Sequence, residues 1–257
     1  PSPMSDTQNH ITPEPHDILA AFSLLTRLPV PVDHTRSGER AAVATWAYPI
    51  VGAAVGALSG LAVSIAMALL LPSGMAAAIG VLVAVALTGA MHEDGLADCA
   101  DGFWGGHDRE RRLEIMKDSS IGAYGAVVLM IFLLAEWSAI EALVFSSPIL
   151  TFAGIGAVSR LPMVLAMWVM PNARENGLAA GVGMPPAISA QIATGITLVI
   201  AIITLGWAGI AVMFSAVFAA LIVGGIANAK IEGYTGDVLG AMQKCAALAG
   251  FTAYLCL

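Results

Sequence analysis

Long apolar runs, interrupted by Pro, Gly and Ser, dominate the chain from about residue 41 onward. A membrane-crossing helix needs about 20 apolar residues to span a hydrocarbon core of about 30 Å. Seven runs reach or approach this length, so we expect about seven transmembrane helices. Their approximate bounds are 41–71, 75–91, 121–145, 149–170, 188–205, 210–229 and 238–257. A further apolar run, 18–28, is too short to cross and is expected at the membrane interface.

The segment before residue 18 is polar and contains several prolines. Pro1–Pro3, ahead of Met4, resemble the remnant of a cleaved tag, and no apolar stretch typical of a signal peptide follows. We therefore expect residues 1–17 to form a disordered tail and residues 18–257 to form a single polytopic membrane domain.

The eleven Lys and Arg residues are distributed unevenly among the connecting segments. Nine of them lie before the first span, between the second and third spans, between the fourth and fifth, and at the end of the sixth. The alternate loops carry none, and only Arg160 and Lys244 fall inside spans. The positive-inside rule therefore places the N-terminus and these four segments in the cytoplasm and the C-terminus outside.

The composition agrees with a lipid-facing surface. Hydrophobic residues make up 58% of the chain and charged residues 11%, whereas a soluble domain is about half apolar and about a quarter charged. A soluble globule and a disordered protein are excluded, and a net charge of −7 without a basic stripe argues against nucleic-acid binding. The apolar outer surface of the protein is therefore expected to contact a lipid bilayer. Three cysteines outside any CxxC pair predict neither a disulfide framework nor a structural zinc site.

Small residues recur at helical spacing in the first span. Gly52, Gly56 and Gly60 form a ladder of the kind that lets membrane helices approach closely. Packing inside one bundle is the favoured interpretation, and contact between chains in a homo-oligomer is the alternative.

Eight of the eighteen acidic residues lie between residues 92 and 120, immediately after the second span. Asp94, Asp98 and Asp101 are spaced i, i+4 and i+7, so on a helix they share one face. Their repulsion opposes helix formation unless a cation binds, and carboxylates suit Mg²⁺, Mn²⁺ or Ca²⁺. We expect a metal site here, at the cytoplasmic end of the second span. A solvated acidic helix face is the alternative.

Basic side chains follow the acidic cluster: Arg109, Arg111, Arg112 and Lys117. A metal held by acids beside such cations is the arrangement that phosphoryl transfer needs. Some of these residues equally suit the role of positive-inside anchors. Asp118, next to Lys117, is a candidate for a further ligand or a general base.

Three more polar residues lie in or beside the spans. His92 precedes the acids and is expected either to contact substrate or to belong to the polar surface. Arg160 falls within the fourth span, where a charge is costly unless it faces the bundle interior. We expect it to contact Asp237 or a substrate phosphate. Asp237 opens the seventh span, where a plain helix N-terminal acid is the alternative.

Four motifs occur in one order along the chain. They are Thr-Arg-Leu-Pro-Val-Pro at 26–31, His-Glu-Asp-Gly-Leu-Ala-Asp-Cys-Ala-Asp-Gly at 92–102 with Arg-Arg-Leu-Glu-Ile-Met-Lys-Asp at 111–118, Ser-Arg at 159–160, and Tyr-Thr-Gly-Asp-Val-Leu-Gly-Ala at 234–241. Together they resemble the cobalamin synthase family, also called adenosylcobinamide-GDP ribazoletransferases. The likeness departs after residue 241, where Lys244 and Ala247 stand in place of acidic residues.

The resemblance implies a Mg²⁺-dependent enzyme of the bacterial inner membrane with a cytoplasmic active site. It would transfer the adenosylcobinamide phosphate group from adenosylcobinamide-GDP to α-ribazole or its 5′-phosphate and release GMP. Asp94, Asp98 and Asp101 would hold one or two Mg²⁺ ions on the pyrophosphate. Glu93 or Asp118 would add a further ligand.

The remaining roles fall on residues of the same segment. Asp118 or Asp94 would accept the proton of the ribose 3′-hydroxyl group. Arg111, Arg112 or Lys117 would meet the negative charge of the departing GMP.

Two other classes of protein remain. A CDP-alcohol phosphotransferase of phospholipid synthesis uses similar acids, but its usual Asp-Gly-x-x-Ala-Arg motif is missing, because Leu96-Ala97 precedes Asp98. A cation-binding transporter would place its acids near the bilayer midplane at broken helices, whereas these acids cluster at one surface.

Overall fold

The computed structural model describes residues 12–257, and over that range the chain is helical, with one isolated β-bridge between Asn172 and Tyr234. The prediction of an all-α membrane protein is confirmed. The predictions for Pro1–Pro3 and for the tail up to residue 11 lie outside the described residues. The first helix begins at Pro15, three residues before the predicted interfacial run.

The helices follow one another along the chain with short connections. They are α1 (Pro15–Leu25), α2 (His34–Glu39), α3 (Ala41–Ala44), α4 (Tyr48–Ala68), α5 (Ser73–Thr88), α6 (Met91–Gly105), α7 (Arg109–Ile115), α8 (Ala123–Leu143), α9 (Pro148–Val169), α10 (Leu178–Val182), α11 (Ala187–Leu205), α12 (Ala208–Ile231) and α13 (Gly236–Leu255).

Within residues 12–257, six stretches are long and apolar enough to cross a membrane: α3 with α4, α8, α9, α11, α12 and α13. The pair α5 and α6 gives a seventh crossing if it counts as one span, and it is bent by 88°. We place that crossing in α5, which at 16 residues is about 24 Å long. Helix α6 then lies outside the spanning helices. The predicted number of about seven spans is confirmed.

Among the described helices, α4 and α9 share the most extensive contact. Side chains at Gly52 and Gly56 would overlap the backbone carbonyls of Gly156 and Phe152, so glycine is required for this approach. A side chain at Gly60 would overlap α9 in the same way. The predicted ladder of small residues is thus used inside the chain, as the favoured interpretation stated.

A sharp turn separates α5 from the acidic motif. Gly89 and Ala90 both have left-handed backbone angles, with φ of +65° and +60°. A side chain at Gly89 would also overlap Arg27, whose backbone N–H donates to the carbonyl of Leu87 at 2.7 Å. The turn sends α6 across the bundle, where it packs against α8 and α13.

Candidate active site

Helix α6 carries the acidic motif and lies directly against the start of α13. A Cβ atom on Gly95 would lie 2.7 Å from the carbonyl oxygen of Asp237, and one on Gly240 would lie 3.2 Å from the Cα of His92. Glycine at both positions lets the two backbones approach closely. The contact brings Asp237, in the first turn of α13, next to the acids of α6.

The three predicted metal ligands of α6 have different surroundings. Asp94 is exposed, Asp98 is half-buried and Asp101 is buried. Within residues 12–257, neither Asp94 nor Asp98 forms a salt bridge or a side-chain hydrogen bond. Two carboxylates one helical turn apart therefore have no salt-bridge partner, and a divalent cation would supply a counter-charge.

Asp101 already has two partners. Its Oδ2 accepts a hydrogen bond from the backbone N–H of Gly122 at 2.7 Å, and its Oδ1 accepts one from Gly125 at 2.9 Å. These N–H groups open α8, so Asp101 caps that helix from another part of the chain. Side chains at Gly122 or Gly125 would overlap the carboxylate. Each carboxylate oxygen keeps a lone pair that could bind a metal. In this structure, however, the two hydrogen bonds of Asp101 hold the N-terminus of α8 against α6.

The electrostatics of Asp98 reflect this crowding of acids. Burial, followed by the nearby charges of Asp94 and Asp237, raises the pKa of the Asp98 carboxyl to about 7, while Arg174 opposes the shift. In the described part of the chain, no three His, Cys, Asp or Glu side chains converge on one point.

Arg174 is the basic residue that acts on this group of acids, and no motif in the sequence marks it as a site residue. Its Nη1 lies 3.1 Å from Oδ2 of Asp237, and its Nη2 donates to the carbonyl of Leu113 at 3.0 Å. The hydroxyl of Thr235 also donates to Asp237, at 3.1 Å. Arg174 thus connects the loop after α9 with the start of α13 and with the end of α7.

The loop that carries Arg174 is held on both sides. The backbone N–H of Ala173 donates to the carbonyl of Tyr234 at 2.8 Å, next to the β-bridge of Tyr234 with Asn172. Arg109 donates from Nη2 to the carbonyl of Ala173 at 2.9 Å. These backbone contacts are long-range in sequence, so no local pattern could have predicted them.

The predicted basic residues divide into two groups. Arg112 is occupied by backbone carbonyls, those of Gly106 at 3.0 Å and Lys230 at 3.0 Å. Arg111 is half-exposed and pairs with Glu114 at 2.6 Å. Arg112 therefore fixes the fold around the motif, whereas Arg111 remains accessible.

An open cleft of about 560 Å³ begins at Asp101 and is also lined by Arg111, Lys117 and Asp118, among others. The Asp118 carboxylate accepts a hydrogen bond from the backbone N–H of Ser120 at 3.0 Å. Hydrogen bonding to Ser120 lowers the pKa of Asp118, which makes it a weaker base. Asp118 and Lys117 therefore face an open cleft that Asp101 of α6 also lines.

Three predicted site residues point into the bundle instead. His92, Glu93 and Arg160 are all buried. Glu93 pairs through Oε1 with Nζ of Lys244 at 3.0 Å. The interior orientation expected for Arg160 is observed. Of its two expected contacts, the one with Asp237 is not formed, because Arg174 pairs with Asp237, and the one with a substrate phosphate stays a prediction.

Comparison with known proteins identifies the family. The family model described as cobalamin-5-phosphate synthase matches residues 17–255, nearly the whole chain. The chain belongs to the cobalamin-5-phosphate synthase family. No solved structure matches significantly.

Relatives of this family extend over almost all of the chain. Proteins named adenosylcobinamide-GDP ribazoletransferase are similar to it in Bradyrhizobium diazoefficiens (38% identity over 232 residues, 89% of this chain and 88% of the relative) and in Azorhizobium caulinodans (39% over 249 residues, 91% and 92%). A third, from Sinorhizobium medicae, is 39% identical over 243 residues, 89% of this chain and 91% of the relative. The chain is therefore a transferase of cobalamin biosynthesis with membrane-spanning helices, as the motifs predicted.

Proposed function

We propose that this enzyme transfers the adenosylcobinamide phosphate group from adenosylcobinamide-GDP to α-ribazole or its 5′-phosphate. The names of its relatives support these substrates. The observation that carries the proposal within the molecule is the pair of unpartnered carboxylates, Asp94 and Asp98, facing Asp237 and Arg174. Carboxylates for a metal beside a guanidinium for phosphate form a site suited to a pyrophosphate.

The donor set of this site fits Mg²⁺. Asp94 and Asp98 would hold the ion, with Asp237 across the helix contact and the free lone pairs of Asp101 as neighbouring oxygens. Glu93 is left out of this set, because Lys244 holds it in the bundle. When bound, Mg²⁺ would neutralise the pyrophosphate and polarise the phosphorus–oxygen bond that breaks.

The protein groups then perform the transfer. A carboxylate, Asp94 or Asp118, removes the proton from the ribose 3′-hydroxyl of α-ribazole. Hydrogen bonding lowers the pKa of Asp118, which weakens it as a base. The freed oxygen attacks the phosphorus bonded to cobinamide, the bond from that phosphorus to the bridging oxygen breaks, and GMP leaves with the electron pair.

Basic side chains meet the charge on GMP. Arg174 lies beside Asp237, and Arg111 and Lys117 line the open cleft. Arg112 does not contact GMP in this proposal. Its guanidinium donates hydrogen bonds to backbone carbonyls and so stabilises the segment that carries Arg111. His92 and Arg160 are buried, so they would act on substrate only through neighbouring groups. Fixed charges of this kind accelerate phosphoryl transfer chiefly by positioning and electrostatics.

We propose that the site faces the cytoplasm of a bacterium from its inner membrane. Three contacts place the basic segments at one end of the bundle: Arg109 with the carbonyl of Ile231, Arg112 with that of Lys230, and Arg174 with that of Leu113. A single end that carries the basic residues is expected to be the cytoplasmic one.

The proposal is tested by supplying substrates to the enzyme in lipid nanodiscs. Adenosylcobinamide-GDP with α-ribazole should give adenosylcobalamin and GMP in equal amounts with Mg²⁺, and neither product with a chelator. Mass spectrometry identifies both. If the enzyme instead converts CDP-diacylglycerol and an alcohol to a phospholipid, or forms no product from either pair, the proposed reaction is wrong.

A further inference from the structure

A group of charged residues lies inside the bundle, apart from the exposed acids. Glu93, Glu136, Arg160 and Lys244 are each at most 8% exposed. Lys244 on α13 lies 3.0 Å from Oε1 of Glu93 on α6 and 2.6 Å from Oε2 of Glu136 on α8. With two acids and two bases, the group is formally neutral. Glu136, Arg160 and Lys244 lie on spanning helices, where buried charges are costly and usually mark function.

The hydrogen bonds of this group are incomplete. Arg160 donates to the hydroxyl of Ser159 at 3.0 Å and more weakly to the carbonyl of Gly156 at 3.4 Å. In the described range, Nε of Arg160, Oε2 of Glu93 and Nε2 of His92 are buried without any partner. Such atoms are rare in native proteins and call for a bound ligand or ordered water.

All three unpartnered residues line one cavity, which Lys244, Glu136 and other polar residues also line. The space open to the centres of water molecules is about 50 Å³, enough for about three to five waters at about 10–15 Å³ each. The neutral charge balance excludes a metal cation or an anion as the preferred occupant. Water both donates and accepts, which suits an N–H donor and a carboxylate acceptor on the same walls.

We infer that this cavity holds ordered water that joins Glu93 to Arg160, and that Lys244 is thereby a positioning residue for the acidic helix α6. The second part rests on the proposed function. Successive helical residues are rotated by about 100°. With Glu93 held inward, Asp94 lies about 100° and Asp98 about 140° around the helix, both away from the cavity. The bond from Lys244 to Glu93 therefore sets the direction of the proposed ligands.

The substitution Lys244→Gln tests the positioning role in nanodiscs. The melting temperature is measured without substrate over a series of Mg²⁺ concentrations. The concentration that gives half of the maximal increase in melting temperature should be about tenfold higher in this variant. The Mg²⁺ concentration for half-maximal turnover should rise equally, while kcat at saturating Mg²⁺ stays within about threefold. Glu141→Gln is the matched control, since Glu141 on the same α8 bonds Ser73 away from the cavity; it should leave both values unchanged.

A second variant guards against a loss of folding. Glu136→Gln with Lys244→Gln removes one charge of each sign and keeps the group neutral, so it should fold and still show the tenfold shift. If both Lys244 variants keep the wild-type Mg²⁺ response within twofold and lose only thermal stability, Lys244 is merely structural. The positioning role is also refuted if Mg²⁺ does not stabilise the wild type.

The water is tested separately by a cryo-electron microscopy map at a resolution that shows buried solvent. Density should lie within hydrogen-bond distance of Oε2 of Glu93 and Nε of Arg160. A dry cavity would overturn the inference. Neither this map nor the thermal measurement involves the transfer reaction, so a failure of the proposed function would be seen independently.

Discussion

Asp101 is expected to behave unlike the two other acids of its helix face. Asp101→Ala removes two charge-assisted hydrogen bonds to the N-terminus of α8, at 2.7 and 2.9 Å. At about 1–2 kcal/mol per bond, the folded state should lose about 2–4 kcal/mol. Asp101→Asn keeps one acceptor and should lose about half of that. Asp98→Asn breaks no such bond and should leave stability within about 1 kcal/mol.

Thermal melts and hydrogen exchange in nanodiscs measure these differences. A loss of 2 kcal/mol corresponds to about 30-fold faster exchange, and in Asp101→Ala this should appear first at the amides of Gly122 and Gly125. Asp98→Asn is the matched control and should leave both amides protected. The capping role is refuted if Asp101→Ala melts like the wild type and both amides exchange within about threefold of it.

Three further outcomes are expected. Because the raised pKa of Asp98, about 7, means that protons compete with Mg²⁺, Mg²⁺ affinity in calorimetric titrations should rise as pH increases from 6 to 8; a flat profile would contradict this. Arg174→Lys keeps the charge but loses the two-pronged contact with Asp237 and Leu113, so KM for adenosylcobinamide-GDP should rise about tenfold with the melting temperature little changed; an unchanged KM would exclude a phosphate contact. A cysteine introduced at Ser147 should be labelled from outside intact cells and one at Gly106 should not; the reverse pattern would invert the proposed topology.

Much of the helical architecture can be predicted from the sequence. Apolar runs of membrane-spanning length ended by residues such as Pro72 and Pro148 predict the spans, and Gly52 and Gly56 predict a close helix contact. These signals are local, because hydrocarbon requires continuous apolar helices. The right-angle turn before α6 is not predictable in this way, since it depends on the left-handed angles of Gly89 and Ala90.

The candidate site can be predicted only in part from the sequence, because the contacts between helices are not encoded in local spacing. Helical spacing shows that Asp94, Asp98 and Asp101 share a face, but it does not show which partner each one meets. Asp101 accepts a hydrogen bond from the N-terminus of α8, and Glu93 forms an ion pair with Lys244, which is far away along the chain. Lys244 appears in the sequence as a departure from the family pattern, and only the packing of α6 against α13 reveals its two carboxylate partners.

The release of GMP by the enzyme in nanodiscs, with adenosylcobinamide-GDP and α-ribazole as substrates, tests the central claim most directly. Wild-type release should depend on Mg²⁺ and match the cobalamin product mole for mole. Asp98→Asn should slow it by at least about a hundredfold while the protein melts normally. Wild-type rates in Asp98→Asn at limiting Mg²⁺, or GMP release that persists in a chelator, would contradict a metal-assisted transfer at these carboxylates.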